Sequence, residues 1–228
     1  GISGRAGMVI DIASGERRVG RFGCKSQQAT LLSFGAEAYR NEMGITSDLF
    51  PTEVGFGLSA EQLRLCDPIP DPEDIREAST GRRGIDNLES FMQLLAPVER
   101  GPINEQERVG ERVFSTIGCA QCHVPTLSTG AHSNPVFHRR SVPLFSDLLL
   151  HDVGTGDGIP QAGARPWEIR TPALWGLRFR RPLLHNGNAA TIEHAILRHK
   201  KEARLAREGF EALGLADRAA LLAFLNSL

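Results

Sequence analysis

The chain has 228 residues and a formal net charge of -1. That is length for one large or two small domains, and too little charge for nucleic acid or an anionic membrane surface to be the main partner. A hydrophobic fraction of 41% beside 23% charged residues describes an ordinary soluble globular protein rather than a disordered or membrane-embedded one. No apolar run approaches the roughly 20 residues that a membrane-spanning helix needs, and no secretory signal is visible.

Gly and Pro are scattered throughout, which predicts long loops. A short strand pair is expected around residues 8–20. Residues 26–40 form a helix candidate with Leu31, Leu32 and Ala36 on one face. A clearer helix covers 84–96, where Ile85, Leu88, Phe91, Met92 and Leu95 recur at helical offsets and Pro97 closes the pattern. Residues 98–104 read as a linker. Asn104 and Glu107 match a capping box, opening a helix that carries Val109, Val113 and Phe114 and runs to Gly118. From 124 to 190, Pro125, Pro135, Pro143, Pro160, Pro166, Pro172 and Pro182 exclude any long helix, though short strand pairs are expected. Thr191 caps a helix over 191–207. A last helix, about 216–227, starts near Asp217 and carries Leu221, Leu222, Phe224 and Leu225. The fold class is mainly α with long irregular loops.

Cys119-Ala120-Gln121-Cys122-His123 is the C-x-x-C-H signature of covalent haem c attachment. Two thiols at this spacing each bond one vinyl-derived carbon of a porphyrin, and the adjacent His123 becomes the proximal iron ligand. With only four Cys and seven His in the chain, chance rarely produces this arrangement. The competing readings are half of a zinc site and a redox C-x-x-C. Zinc wants a second ligand pair at similar spacing, and Cys24 and Cys66 are isolated from each other. A redox motif wants a βαβ context, which is absent. A haem also accounts for the irregular 124–190 stretch, because the cofactor supplies buried apolar surface that regular elements would otherwise provide.

Helix, motif, irregular loop, ligand-bearing segment and terminal helix follow one another as in a class I cytochrome c domain, placed at 105–228. The helix before the motif and the last helix are expected to cross and pack. Residues 1–97 end in a similar apolar helix, like the tail of a second cytochrome c-like domain whose own C-x-x-C-H is not in this sequence. Because haem c is assembled outside the bacterial cytoplasm, the chain is expected to be periplasmic or otherwise exported, with an export signal upstream.

The other face of the iron takes Met, His, Tyr or nothing. No Met follows Met92, which excludes a His/Met carrier built from this domain alone. His132, His138, His151, His185, His194 and His199 remain. His194 and His199 are five apart on one predicted helix and face different sides. The residues by themselves leave the ligand open among these six.

Residues 171–199, from Thr171-Pro172-Ala173-Leu174-Trp175-Gly176-Leu177 through Leu184-His185-Asn186-Gly187 to Thr191-Ile192-Glu193-His194-Ala195-Ile196-Leu197-Arg198-His199, resemble the C-terminal haem domain of bacterial di-haem cytochrome c peroxidases. His199 stands where that family has a ligating Met. More closely, the chain resembles the di-haem oxidoreductase family of peroxidase-like proteins, also called thiol oxidoreductases. The shared stretches are Gly20-Arg21-Phe22-Gly23, Glu42-Met43-Gly44-Ile45-Thr46, Asp147-Leu148-Leu149-Leu150-His151-Asp152, Arg170-Thr171-Pro172-Ala173-Leu174-Trp175-Gly176 and Leu184-His185-Asn186-Gly187. They occur in order around the haem motif and span nearly the whole chain.

The resemblance implies bis-His ligation by His123 and His199. It also implies a second haem, open to peroxide, with a carboxylate that moves a proton as the O–O bond breaks. Glu42 matches that carboxylate, although without the resemblance it reads as a solvated surface Glu. Gln27 and Gln28 are weaker candidates for the same pocket. Arg170 and Arg21 are candidate partners of haem propionates, with surface charge the plainer reading of Arg21. Trp175 stands between haems or in the core, and His151 and His185 bond propionates or loop backbone.

Two departures matter. The second haem must come from an upstream segment or a partner chain. Cys24 also replaces the family's Trp. Cys24 and Cys66 are open to three states, a disulfide in an oxidising compartment, free thiols, or Cys24 beside the other haem. The expected function is a peroxidase-like haem oxidoreductase whose bis-His haem, reduced by a small redox protein, relays electrons to the second haem. The alternative is a non-catalytic mono-haem electron-transfer subunit of a larger respiratory complex, favoured by the missing motif and by Cys24.

Overall fold

A computed structural model describes residues 1–69 and 71–228. It is helical with few short strands, compatible with a cytochrome-c-like fold. The chain divides into two compact units, one formed by Met8–Ala96 and the other by Gly1–Gly7 with Pro97–Leu228.

The Met8–Ala96 unit opens with an antiparallel hairpin, β1 (Met8–Ile10) on β2 (Arg17–Val19), with Met8 opposite Val19. Its organising group is the buried Asp11 carboxylate. It accepts hydrogen bonds from the hydroxyls of Ser14 (2.7 Å), Thr30 (2.9 Å) and Ser33 (2.6 Å). Those bonds tie the hairpin to the first turn of α1 (Leu31–Ala38), whose N-cap Thr30 also accepts from the Ser33 N–H. The helix therefore starts at Leu31 and not at Ser26. Residues 26–30 are held instead in a turn where Phe22 bridges Gln28.

α1 passes into a π-helical turn, Tyr39–Met43, stopped by Gly44 in the left-handed region. α2 (Ala60–Cys66) is capped by a reciprocal Ser59–Gln62 box. This short helix has no apolar periodicity to reveal it. α3 (Gly84–Leu94) begins at Arg83, whose guanidinium pairs with Asp48 and Asp86. Gly35 of α1 faces α3 across a space where a Cβ would come within 3.2 Å of Leu88.

In the second unit, Asn104 caps α4 (Glu105–Thr116). Its Oδ1 accepts from the Gln106 N–H at 2.8 Å, and Glu107 accepts from the Asn104 N–H at 2.9 Å. The irregular segment that follows holds two small pairs, β3 (Leu127–Ser128) with β4 (Ser141–Val142) and β5 (Leu150–His151) with β6 (Ile169–Arg170). Arg5 bridges Leu150, which draws the first seven residues into this unit.

Helices α5 (Ile192–Leu197), α6 (Arg204–Glu211) and α7 (Leu215–Ser227) complete it. The single helix expected over 191–207 is broken. The Lys200 N–H bonds Val153 O at 2.9 Å and the Glu202 N–H bonds Asp152 O at 3.1 Å, so tertiary acceptors replace the intrahelical ones. α7 starts two residues before Asp217, after Gly214.

α4 and α7 cross at Gly110, where a Cβ would lie 2.0 Å from Ala220 O, so only glycine allows this approach. The crossing seals a core of Phe114, Phe145, Leu177, Phe210, Leu221 and Phe224. Phe114 stacks on Phe224 at 5.3 Å between ring centres, and Phe145 meets both rings.

Candidate haem site

α4 ends at Gly118, whose φ of +94° lies in the left-handed region that favours glycine at a helix C-terminus. This turn launches Cys119–Gln121 as a 3₁₀ segment, with the His123 N–H bonded to Cys119 O at 3.0 Å. Both thiols and the His123 imidazole are therefore displayed from one compact turn. The chain that returns past it is bonded in place, Asp147 N–H to Cys122 O at 2.8 Å and Ser146 N–H to Val124 O at 2.9 Å.

His123 Nδ1 lies 3.0 Å from Phe145 O. A carbonyl only accepts, so Nδ1 carries the proton and Nε2 keeps its lone pair. Burial, followed by the nearby His199, pushes the His123 pKa down to about 4 and keeps the ring neutral. His199 repeats the arrangement. Its Nδ1 lies 2.7 Å from Ala195 O, and burial lowers its pKa as well. Both rings are thus neutral, oriented by a backbone acceptor and left with an Nε2 lone pair, the form in which histidine serves as a metal ligand.

The thiols point the same way. Burial drives the Cys119 thiol up to about 12, whereas a redox C-x-x-C lowers its thiol pKa to make a thiolate. The four cysteines are free, and Cys24 and Cys66 are both exposed at separate sites, so the disulfide among the expected states is not formed. His185 is the third indication. Its side chain is one-tenth exposed, neither ring nitrogen has a hydrogen-bond partner, and the nearest carboxylate, Asp157, is 3.9 Å from Nε2. Buried polar atoms left this way call for an acceptor the protein does not supply, and the carboxylates of a haem would supply one. The residues present fit a haem.

His151 is placed differently from expectation. It does not bond the loop backbone but lies buried between Asp147 Oδ2 (2.8 Å from Nε2) and Glu202 Oε2 (2.9 Å from Nδ1). Cys122, Asp147 and His151 offer ligand atoms within 4.8 Å of one another. Both nitrogens of the His151 ring, however, are already taken up by the Asp147 and Glu202 carboxylates, and Cys122 Sγ lies 3.9 Å from Nδ1. The Asp147-x-x-x-His151 spacing was the sequence signal for this cluster. Glu202, fifty-one residues beyond His151, gave none.

Arg170, half-buried in β6, bonds Thr171 O at 3.3 Å. Trp175 is half-buried, and its carbonyl accepts from Arg180 at 2.8 Å. His132 and His138 pair with each other in an exposed loop, and His194 is exposed. In the Met8–Ala96 unit, Glu42 is exposed on the π-helical turn, a geometry found often at functional sites. Arg21 is exposed, Gln28 is buried, and Gln27 accepts from the Lys25 N–H at 3.2 Å.

A helical frame with a C-x-x-C-H turn and two backbone-oriented neutral imidazoles is compatible with a haem redox protein. The chain belongs to the family described as "Di-haem oxidoreductase, putative peroxidase", whose profile matches residues 1–228. Membership makes it an oxidoreductase enzyme with haem as its cofactor. No curated protein matches the chain.

Among solved structures, a MauG-like protein associated with microbial copper homeostasis is similar at a TM-score of 0.50 and 17% identity, over 99% of this chain and 79% of that one. This likeness is one of fold. Hydrazine synthase of Kuenenia stuttgartiensis gives a TM-score of 0.46 at 18% identity, over 78% of this chain and 67% of that one. The diheme peroxidase BthA of Burkholderia thailandensis gives 0.45 at 15%, over 93% of this chain and 66% of that one. Among the described residues no helix is long and apolar enough to cross a membrane.

Proposed function

We propose that this chain binds one haem c through Cys119 and Cys122, with His123 and His199 as the two iron ligands, in a class I cytochrome c domain over 105–228. The observation that carries the reading is the matched imidazole pair. Each ring donates Nδ1–H to a backbone carbonyl, Phe145 for one and Ala195 for the other, and each keeps Nε2 for a metal. Bound there, the haem supplies one-electron storage at a low-spin iron of lower potential than a His/Met site. His185 and Arg170 would meet its carboxylates, and Trp175 would stand between haems or pack in the core.

The function is an electron relay within a peroxidase-like oxidoreductase, exported to the periplasm. A small redox protein supplies electrons, and a second haem, on an upstream segment or partner chain, receives them. Of residues 1–97, Met8–Ala96 would form the tail of the domain around that second haem, with 98–104 as linker, while Gly1–Gly7 belong with the other unit. In support, the Met8–Ala96 unit exposes Met43, Phe56, Ile69, Ile75, Phe91 and Leu94. So much uncovered apolar surface is what another haem-bearing region would cover. Glu42 would move the proton there from one peroxide oxygen to the other.

The exposure of Glu42 and the single C-x-x-C-H favour a second reading, a mono-haem electron-transfer subunit without catalysis of its own. A pyridine haemochrome count on the intact assembly separates the two. Two haems with peroxide turnover are expected, while one low-spin haem inert to peroxide overturns the enzyme reading. His199→Ala is expected to turn this chain's haem high-spin; an unchanged low-spin spectrum removes His199 as ligand.

A further inference from the structure

The two imidazoles come from different segments of the chain. His123 sits on the turn after α4, while His199 sits in the break between α5 and the 3₁₀ turn Lys201–Ala203. The Asp147–His151–Glu202 cluster joins the two. Asp147 is fastened to the first segment by its N–H on Cys122 O, at 2.8 Å. Glu202 lies three residues beyond His199. Its carboxylate also accepts from the Ser3 N–H at 2.8 Å and the Asp152 N–H at 3.2 Å.

His151 joins the two carboxylates, and a neutral imidazole cannot do so. One of its nitrogens would then present a lone pair to a carboxylate oxygen, so both nitrogens must donate and the ring must be an imidazolium. The ring is 2% exposed, and water does not compete for either bond. Gly4 closes its open side, where a Cβ would stand 2.2 Å from Cε1.

We propose that His151 is a positioning residue of the haem site, a buried charged tie that locks the segment carrying His199 onto the segment carrying Cys122 and His123. The proposal rests on the reading of His123 and His199 as the ligand pair. It predicts that ligand release, not haem attachment, is what loss of the tie changes. His151→Gln keeps size and one amide donor group but cannot satisfy both carboxylates.

Cyanide binding to the ferric protein reads the tie directly, because cyanide enters a bis-His site only after one imidazole leaves. His151→Gln, with wild-type haem content and circular dichroism, is expected to bind cyanide about tenfold faster or more, the factor carried by about 1.4 kcal/mol of lost closure. A rate equal to wild type overturns the proposal. Should His151→Gln fail to fold, Glu202→Gln carries the same test from the other end of the tie, and a wild-type rate there overturns it equally. His199→Ala separates the two readings. If it turns the haem high-spin while the tie variants exchange like wild type, the ligand reading stands and the tie falls. If it stays low-spin, the ligand reading itself falls.

Discussion

The two units of the molecule are held together by different forces. In the unit built from Gly1–Gly7 and Pro97–Leu228, a continuous apolar cluster around Phe114, Phe145, Phe210 and Phe224 backs the haem motif. In the Met8–Ala96 unit the buried apolar side chains among the described residues are Val9, Ala36 and Ile85, while Asp11, Lys25, Gln28, Ser33 and Arg83 are buried with them. Phe56, Ile69, Ile75, Phe91 and Leu94 meanwhile face solvent. One unit has an interior that dispersion and burial stabilise; the other is organised by hydrogen bonds around a carboxylate and leaves large apolar side chains exposed. The lesson is that one part of a chain can close an apolar core of its own while another part is ordered chiefly by buried polar groups.

The sharpest way to break this contrast is through the core. Phe224→Ala removes a fully buried ring that touches two others, and is expected to destabilise its unit by about 3–5 kcal/mol in chemical denaturation. Next comes Asp11→Ala in the other unit. It leaves the hydroxyls of Ser14, Thr30 and Ser33 without their acceptor, and is expected to cost about 1–3 kcal/mol. If Asp11→Ala were neutral while Val9→Ala were severe, the polar account of that unit would be wrong.

Much of this was legible in the sequence where a local pattern decides the outcome. The Asn104–Glu107 capping box, the apolar face of 84–96 and the C-x-x-C-H turn are all set by residues within a few positions of one another. What was not legible depends on distant partners. The break at Arg198–Lys200 exists because Val153 O and Asp152 O accept N–H groups that a helix would have kept. The attachment of Gly1–Gly7 depends on the Arg5–Leu150 bridge. Glu202 reads as an ordinary helix-surface residue until the fold brings it to His151. The exposed apolar residues of α3 read as core in a periodic pattern, because periodicity marks a face for burial without saying what buries it.

The units should also part company at high pH. Burial disfavours the charged His151 ring, but its bonds to Asp147, Cys122 and Glu202 win and raise its pKa to about 11. The folded value lies above the unfolded value of about 6.5, so the stabilisation is complete below the unfolded value and is lost as pH rises toward the folded one. Were Cys122 a thioether, its share of that rise would go while the two carboxylates would remain. Stability of this unit is therefore expected to fall as pH rises above neutral, with that slope absent in His151→Gln. Asp11 works in the opposite direction. Burial opposes its charge, but hydrogen bonds from Ser33, Ser14 and Thr30 and the charge of Arg18 outweigh it and lower its pKa. Its contribution is present above the unfolded carboxyl value of about 3.9 and is lost as pH falls through the lower folded value. Denaturation curves at pH 7 and 10 check the first slope, and at pH 5 and 3 the second.

The smallest expected effect is the most telling about the open unit. Phe91 lies on α3 and is 62% exposed, so Phe91→Ser removes little that the chain itself buries. Its stability in isolation is expected to move by no more than about 0.5 kcal/mol, as for surface positions generally. Association with the other haem-bearing region is expected to weaken, since a large apolar side chain at a covered position contributes to binding through the area it removes from water. Titration of the variant against that region, followed by haem content of the assembled species, reads the effect. Loss of stability without loss of association would mean that the exposed face of α3 is a structural feature of the unit alone. Loss of association at unchanged stability would mean that the unit's sparse apolar interior is one half of an interface.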